Sequence, residues 1–206
     1  MGSRRTDKVA AFIVRLGASS RAELLVFEHP GPAFQTVQLP AGTVEAGEPV
    51  RRAALREAVE ETGLTNLVCH GLLGWRPATG AGQWMVTEPI EGTHLRRGYL
   101  IDEAGPGPTP ATITARQREW AGDVPRRSIT KESRRYLYGF SPAARLPDEW
   151  PYRCDCGASV RMHWIDAQAG VVSGMEQSWL EAARRSARWA AMLAAIEREE
   201  SLRCAS

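Results

Sequence analysis

Glu57, Glu60 and Glu61 stand at i, i+3 and i+4 within a run of helical spacing, Pro49 to Thr62. At roughly 100° per residue they share one helix face. Like charges this close repel one another and cost helix stability. A hard divalent cation removes that cost, because carboxylate oxygens are the ligands that Mg²⁺, Mn²⁺ and Ca²⁺ accept. Arg56, four residues before Glu60, can hold that carboxylate as an i,i+4 pair. Leu55, Ala58, Val59 and Thr62 fall on the other side, which predicts the face that packs against a core.

The ends of the helix are also written in the chain. Pro49 suits the first turn, where its missing N–H is not needed. Glu48 lies where a negative charge favours the helix N-terminus. Gly63 suits a left-handed C-terminal cap. Gly42 and Gly47 bracket a loop that must bend tightly before the helix, and Glu45 in that loop could reach a metal through water. The unit is loop, helix, loop, with an acidic face turned outward.

This stretch resembles the signature of the Nudix hydrolases. That pattern is Gly, five residues, Glu, seven residues, then Arg-Glu-apolar-any-Glu-Glu-any-Gly-apolar. Gly42, Glu48, Arg56, Glu57, Glu60, Glu61, Gly63 and Leu64 fill it without mismatch, with Ala58 in the apolar slot. Val37 to Ala41, just before it, is similar to the family's entry strand. The resemblance implies hydrolysis of a nucleoside diphosphate linked to another group, by water attack on phosphorus. It implies Mg²⁺ or Mn²⁺ on Glu57, Glu60 and Glu61. Glu48 would then support the metal shell and Arg56 would orient a glutamate. In the family, the base is a box glutamate or one from a later loop. Glu103, Glu132, Glu149 and Glu176 all stand in suitable segments, and the sequence does not choose among them.

The elements that must position this site follow in order. Lys8–Arg15, Glu23–Glu28 and Thr36–Leu39 read as strands, then comes the helix. Leu67–Trp75, Gln83–Thr87, His94–Ile101, Arg134–Phe140 and Ala158–Ile165 read as further strands. Residues 102–132, rich in Gly and Pro at their start, predict a loop or lid insertion. Ser141–Trp150 reads as loop. A C-terminal helix is expected over about 173–200, with Trp179, Ala183, Ala187, Ala190 and Ala194 near one line. That stripe fits core packing or pairing with a second copy as a homodimer. The order predicts one α+β domain over residues 1–206. The resemblance sharpens this to an α/β/α sandwich, a mixed sheet between helices.

Composition narrows the partners. The chain has 206 residues and a formal net charge of +2, so nothing global demands nucleic acid or a membrane. No apolar run approaches a membrane span, and Met1 is not followed by the apolar core of a signal peptide. Cys154-Asp-Cys156 with His163 lacks the Cys-x-x-Cys knuckle spacing, so reduced cysteines in a cytoplasmic protein are the expectation. Apart from Lys8 and Lys131 the basic residues are arginines, whose forked donors suit phosphate. Arg96, Arg97, Arg134 and Arg135 are the candidate substrate-binding arginines, although a surface arginine is more commonly solvated. Trp75, Trp84, Tyr99 and Trp164 could stack on a base, with core packing the commoner role.

The expected substrate is a small nucleotide derivative: a nucleotide, a nucleotide sugar or a dinucleotide. Markers of the subfamilies do not resolve it. Thr79 stands where ADP-ribose hydrolases tend to carry proline, and residues 80–82 lack the tyrosine of diadenosine polyphosphate hydrolases. Two alternatives remain open. One is a nucleotide- or ligand-sensing module with little turnover, which would have no need of three clustered carboxylates. The other is an RNA 5′-end processing hydrolase, which would favour a basic groove that a near-neutral chain does not supply.

Overall fold

The structure, a computed structural model, describes residues 7–28, 37–77, 83–89, 96–102, 126–128, 134–153, 157, 159–174 and 176–204. From 77 to 133 only backbone strands are described. The chain clusters into two compact units, residues 1–6 with 77–134, and 7–76 with 135–206.

The second unit carries the acidic helix. Its strands are β1 (Lys8–Leu16), β2 (Ala22–Glu28), β3 (Val37–Gln38), β4 (Ala41–Thr43) and β5 (Leu67–Pro77). The first unit's strands are β6 (Gln83–Pro89), β7 (Arg96–Asp102) and β8 (Arg126–Ser128). The chain then returns through β9 (Arg134–Pro142), β10 (Glu149–Arg153) and β11 (Ser159–Asp166). The helices are α1 (Val50–Thr62), α2 (Glu176–Arg184) and α3 (Ala187–Cys204).

The larger sheet runs β10-β11-β2-β1-β9-β5, with β3 on β2 and β4 on β1. It is mixed: β1 pairs antiparallel with β2 and parallel with β9. β1 explains why its sequence is a continuous apolar run rather than an alternation. Val9, Ala11 and Ile13 face one side, packed with Ala53, Ala54 and Ala58 of α1. Ala10, Phe12 and Val14 face the other, packed with Trp179, Leu180, Trp189, Met192 and Ile196 of α2 and α3. Both faces are covered, which makes the α/β/α sandwich. In the first unit, β6 is flanked by β7 and β8 as an antiparallel ribbon, with Trp84 opposite Ile101 and Ser128.

Several expectations change. Leu55 is 38% exposed and the buried residues of α1 are Ala53, Ala54, Ala58 and Thr62. At roughly 100° per residue, Glu57 and Glu61 fall inside the arc bounded by Ala53 and Ala54. The acidic face therefore shares its side with the core alanines instead of opposing it. Ala41–Thr43 is a strand, and so is Glu149–Arg153, which begins in the last two residues of the expected loop and runs past its end. Pro151 sits in that second strand, at the sheet edge, where a missing N–H is tolerated. Strand β8 falls within the expected insertion 102–132, most of which lies outside the described residues.

The C-terminal helix is two helices. Ser186 breaks it: its hydroxyl accepts from the Arg188 amide (3.1 Å) and donates to the Leu73 carbonyl (2.7 Å). The break rotates the alanine stripe, so Ala187 and Ala190 are exposed while Trp189, Met192 and Ile196 are buried. Each large side chain buried this way is worth about 1.5–3 kcal/mol. The apolar face of α3 is thus spent on the sheet of its own chain.

Gly63 ends α1 with φ 73°, and its amide donates to the Val59 carbonyl (2.8 Å). A Cβ at Gly63 would also press into the Tyr152 ring, whose hydroxyl donates to the Glu60 carbonyl (3.2 Å). Gly63→Ala should cost about 1–2 kcal/mol from the left-handed backbone alone. Gly74→Ala, at a position with open space around it, should cost less. Thermal unfolding of the two variants checks the order, and equal losses would refute the cap.

Candidate active site

The chain approaches α1 along Leu39–Thr43, and its pairing decides what happens next. Val9 of β1 lies opposite Gly42, and the Pro40 carbonyl accepts from the Ala11 amide (2.8 Å). The amides of Leu39, Ala41 and Thr43 then point away from β1. Each of them meets a carboxylate. Leu39 N donates to Glu176 Oε2 (2.5 Å), Ala41 N to Glu61 Oε2 (2.8 Å) and Thr43 N to Glu57 Oε1 (3.0 Å). Alternate amides of an extended chain repeat every 6.5–7 Å or so, so the edge spaces the three acids at about that interval. Gly42 is needed between them, because a Cβ there would collide with the Glu57 carboxylate.

Arg56 ties the rest together. Its Nε and Nη2 grip Glu48 in a two-pronged pair, both at 3.0 Å. Its Nη1 donates to Glu57 Oε1 (3.0 Å) and Glu60 Oε2 (2.9 Å), and Nη2 also to the Thr43 carbonyl (2.9 Å). The bonds to Glu48, then the charges of its other partners, hold Arg56 above its ordinary pKa. In return Arg56 holds Glu48 below the usual carboxylate range. Glu48 therefore acts through Arg56 rather than at the helix terminus. The sequence-predicted set Glu48, Arg56, Glu57, Glu60 and Glu61 is brought together.

Two further residues complete the cluster. Glu176 opens α2, and of the two later candidate glutamates that are described, Glu149 and Glu176, it is the one the fold delivers to this edge. Glu149 sits on β10 and faces Arg161 (3.6 Å), while Glu103 and Glu132 lie outside the described residues. Arg135 lies on β9 beside Lys8 of β1, and its guanidinium stacks 3.7 Å from the Trp179 ring centre. One Nη donates to the Val9 carbonyl (3.0 Å). Nothing local in the sequence pairs Glu176 or Arg135 with α1; their signal is only that of an acid at a helix start and a cation in a strand.

Burial dominates the electrostatics. It pushes the Glu61 carboxyl up to about 8; the Ala41 amide opposes this, and the charges of Glu57, Glu176 and Glu60 add to it. Burial pushes Glu176 up to about 7, opposed by the Leu39 amide and by Arg135. It lowers Arg135 to about 10, with Glu176, Glu61 and Glu57 opposing, so Arg135 stays charged at neutral pH.

Arg134 is exposed at the start of β9. The side chains of Arg96, Arg97, Trp84 and Tyr99 lie outside the described residues, as do Thr79, His29, His94, Cys154 and Cys156. Trp164 packs under Arg15 (4.2 Å) and beside Trp150, and Trp75 is 53% exposed. His70 is satisfied by Ser141 (2.8 Å). His163 Nε2 lies 3.8 Å from Glu28, and Glu45 offers its backbone amide to Glu48.

The donor set fits a hard divalent cation. All candidate ligands are carboxylate oxygens, and Gly42 leaves the space that Glu57 fills. Among the described residues no three His, Cys, Asp or Glu side chains form a ready-made cage. Mg²⁺ does not require one, since it usually uses one or two carboxylates together with waters and substrate phosphates.

The pKa shifts make a stability prediction. Glu176 ionises near its ordinary 4.5 when unfolded and near 7 when folded. The folded state thus binds the extra proton between those values, and stability falls as pH rises from about 4.5 to about 7. In metal-free buffer, Glu176→Gln should gain stability over the native chain as pH climbs through that window. Melting curves at pH 4.5 and 8 check it; a difference that does not grow with pH contradicts the assignment.

A family model described as NUDIX domain matches residues 6–120, which is more than half of the chain. No curated protein matches it. Among solved structures it is similar to the NUDIX domain of Shewanella oneidensis NrtR complexed with ADP ribose. That match has 11% identity and a TM-score of 0.45, and covers 89% of this chain and 88% of that one. It is also similar to a NUDIX hydrolase from Nitrosomonas europaea (18% identity, TM-score 0.41, 96% and 90% covered). A third is a C. elegans Ap4A hydrolase in a binary complex (13%, 0.41, 92% and 98%). Likenesses at this level carry no argument about substrate. The family model, matched over the helix and the loop that Arg56 and the amide row bind together, settles the lineage: the chain belongs to the Nudix family.

Proposed function

We propose that the chain hydrolyses a diphosphate linkage in a nucleoside diphosphate derivative, with a divalent cation as cofactor and water as the attacking group. The observation that supports this reading most is the row of carboxylates, Glu176, Glu61 and Glu57, held on alternate amides beside an arginine-locked Glu60. A purely structural helix would not keep acids so close or bury one of them.

A cation such as Mg²⁺ or Mn²⁺ on Glu57, Glu60 and Glu61 would neutralise phosphate charge and make a water more acidic. The chain's own residues do the positioning. Arg56 fixes one oxygen each of Glu57 and Glu60, and Glu48 fixes Arg56. The Ala41 amide fixes Glu61, and the Thr43 amide bonds the same Glu57 oxygen that Arg56 holds. The carboxyl group of Glu176, which burial raises to about 7, suits the acceptance of a proton from water near neutral pH. A small nucleotide-type substrate is the proposed partner, since the formal net charge of +2 offers no strong attraction for a nucleic acid.

Phosphate release from nucleoside triphosphates, nucleotide sugars, dinucleotides and ADP-ribose tests the proposal. Turnover of one class should require Mg²⁺ or Mn²⁺ and stop on chelation. Glu57→Gln and Glu61→Gln should each lower kcat by about 10²–10⁴-fold with folding intact. Turnover without metal, or unaffected by both substitutions, would refute it. No turnover of any class would move the reading to a ligand-sensing module.

A further inference from the structure

Arg135 is a half-buried cation with an unusual set of neighbours. It stacks on Trp179 (3.7 Å) and gives one hydrogen bond to Val9, and its Nε is buried with no partner among the described residues. It forms no ion pair with a carboxylate of the described residues, yet its partner Val9 lies opposite Gly42, between the amides that hold Glu61 and Glu57, and Trp179 follows Glu176 on the same helix. Arg56 contrasts with this, since three carboxylates accept its hydrogen bonds directly. A salt bridge would consume Arg135. The stacked position instead leaves its charge available to the whole group.

We propose that Arg135 is a positioning residue, a built-in counter-ion that sets how tightly the carboxylates of Glu57, Glu61 and Glu176 take a divalent cation. The inference rests on the metal reading above. Acids held this close stay ionised only with positive charge nearby; without it they take up protons. Arg135 supplies it whenever no metal is bound. The same charge then opposes an arriving cation. A cation that comes with an anionic diphosphate meets less of this opposition, because the phosphates answer Arg135 as well. The site therefore favours metal and substrate together over metal alone.

The test is the affinity for Mn²⁺ without substrate, read from the free-ion electron paramagnetic resonance signal. Arg135→Met should bind Mn²⁺ about tenfold more tightly than the native chain, or tighter still, because a nearby charge in a poorly screened site is gone. Arg135→Lys, which keeps the charge, should bind as the native chain does. A merely structural role predicts the opposite sign, since a loosened site binds less well. Equal or weaker Mn²⁺ binding by Arg135→Met overturns the inference and leaves the metal reading standing. No Mn²⁺ binding by the native chain or by Arg135→Met overturns this inference, and the metal reading falls as well if Mn²⁺ still fails to bind in the presence of a non-hydrolysable nucleoside diphosphate analogue. Should Arg135→Met fail to fold, the comparison moves to Glu176→Gln against Glu176→Gln/Arg135→Met, where both charges are absent. The same tightening is required there.

Discussion

Three backbone amides on one edge organise this molecule. Leu39, Ala41 and Thr43 point outward because the alternate backbone groups of Pro40 and Gly42 face β1. Each amide holds a carboxylate from a different turn of helix: Glu176 from α2, and Glu61 and Glu57 from α1. The edge is thus where both helix layers of the sandwich are tied to one strand. The small residues there are a consequence. Gly42 has no Cβ because Glu57 lies over it, and Ala53, Ala54 and Ala58 let α1 approach β1 closely.

Holding acids in place creates the problem of holding them apart. Two arginines answer it in different ways. Arg56 bonds directly to Glu48, Glu57 and Glu60 and fixes their geometry. Arg135, stacked on Trp179, adds charge without a bond to any of them. Burial of Glu61 and Glu176 raises their pKa values because the compensation is incomplete.

Much of this was legible in the sequence. The spacing of Glu57, Glu60 and Glu61, the Gly63 cap and the entry of the chain at Pro49 are local signals, and they read correctly. The direction of the acidic face did not. Helical spacing shows which residues share a face but not where the core lies; Ala58 and Thr62 face the core as expected, but Leu55 drew the expected face away from Ala53 and Ala54. Strand β4 was hidden because Ala-Gly-Thr has no apolar alternation; its partner β1 makes it a strand. Ser186 was a readable N-cap signal inside the C-terminal run, masked by alanines on both sides. Glu176 could not be chosen from four acids by any local rule, because only the tertiary path of α2 brings it to Leu39.

The central claim is that the amide row presents its carboxylates to a divalent cation. The resonances of the Ala41 and Thr43 amide protons report it most directly, because each donates to one of the carboxylates in question. On titration with Mg²⁺ in the presence of a non-hydrolysable nucleoside diphosphate analogue, both resonances should shift along one saturable curve. Glu57→Gln should abolish that shared response. Resonances that stay fixed while the analogue binds would contradict the account.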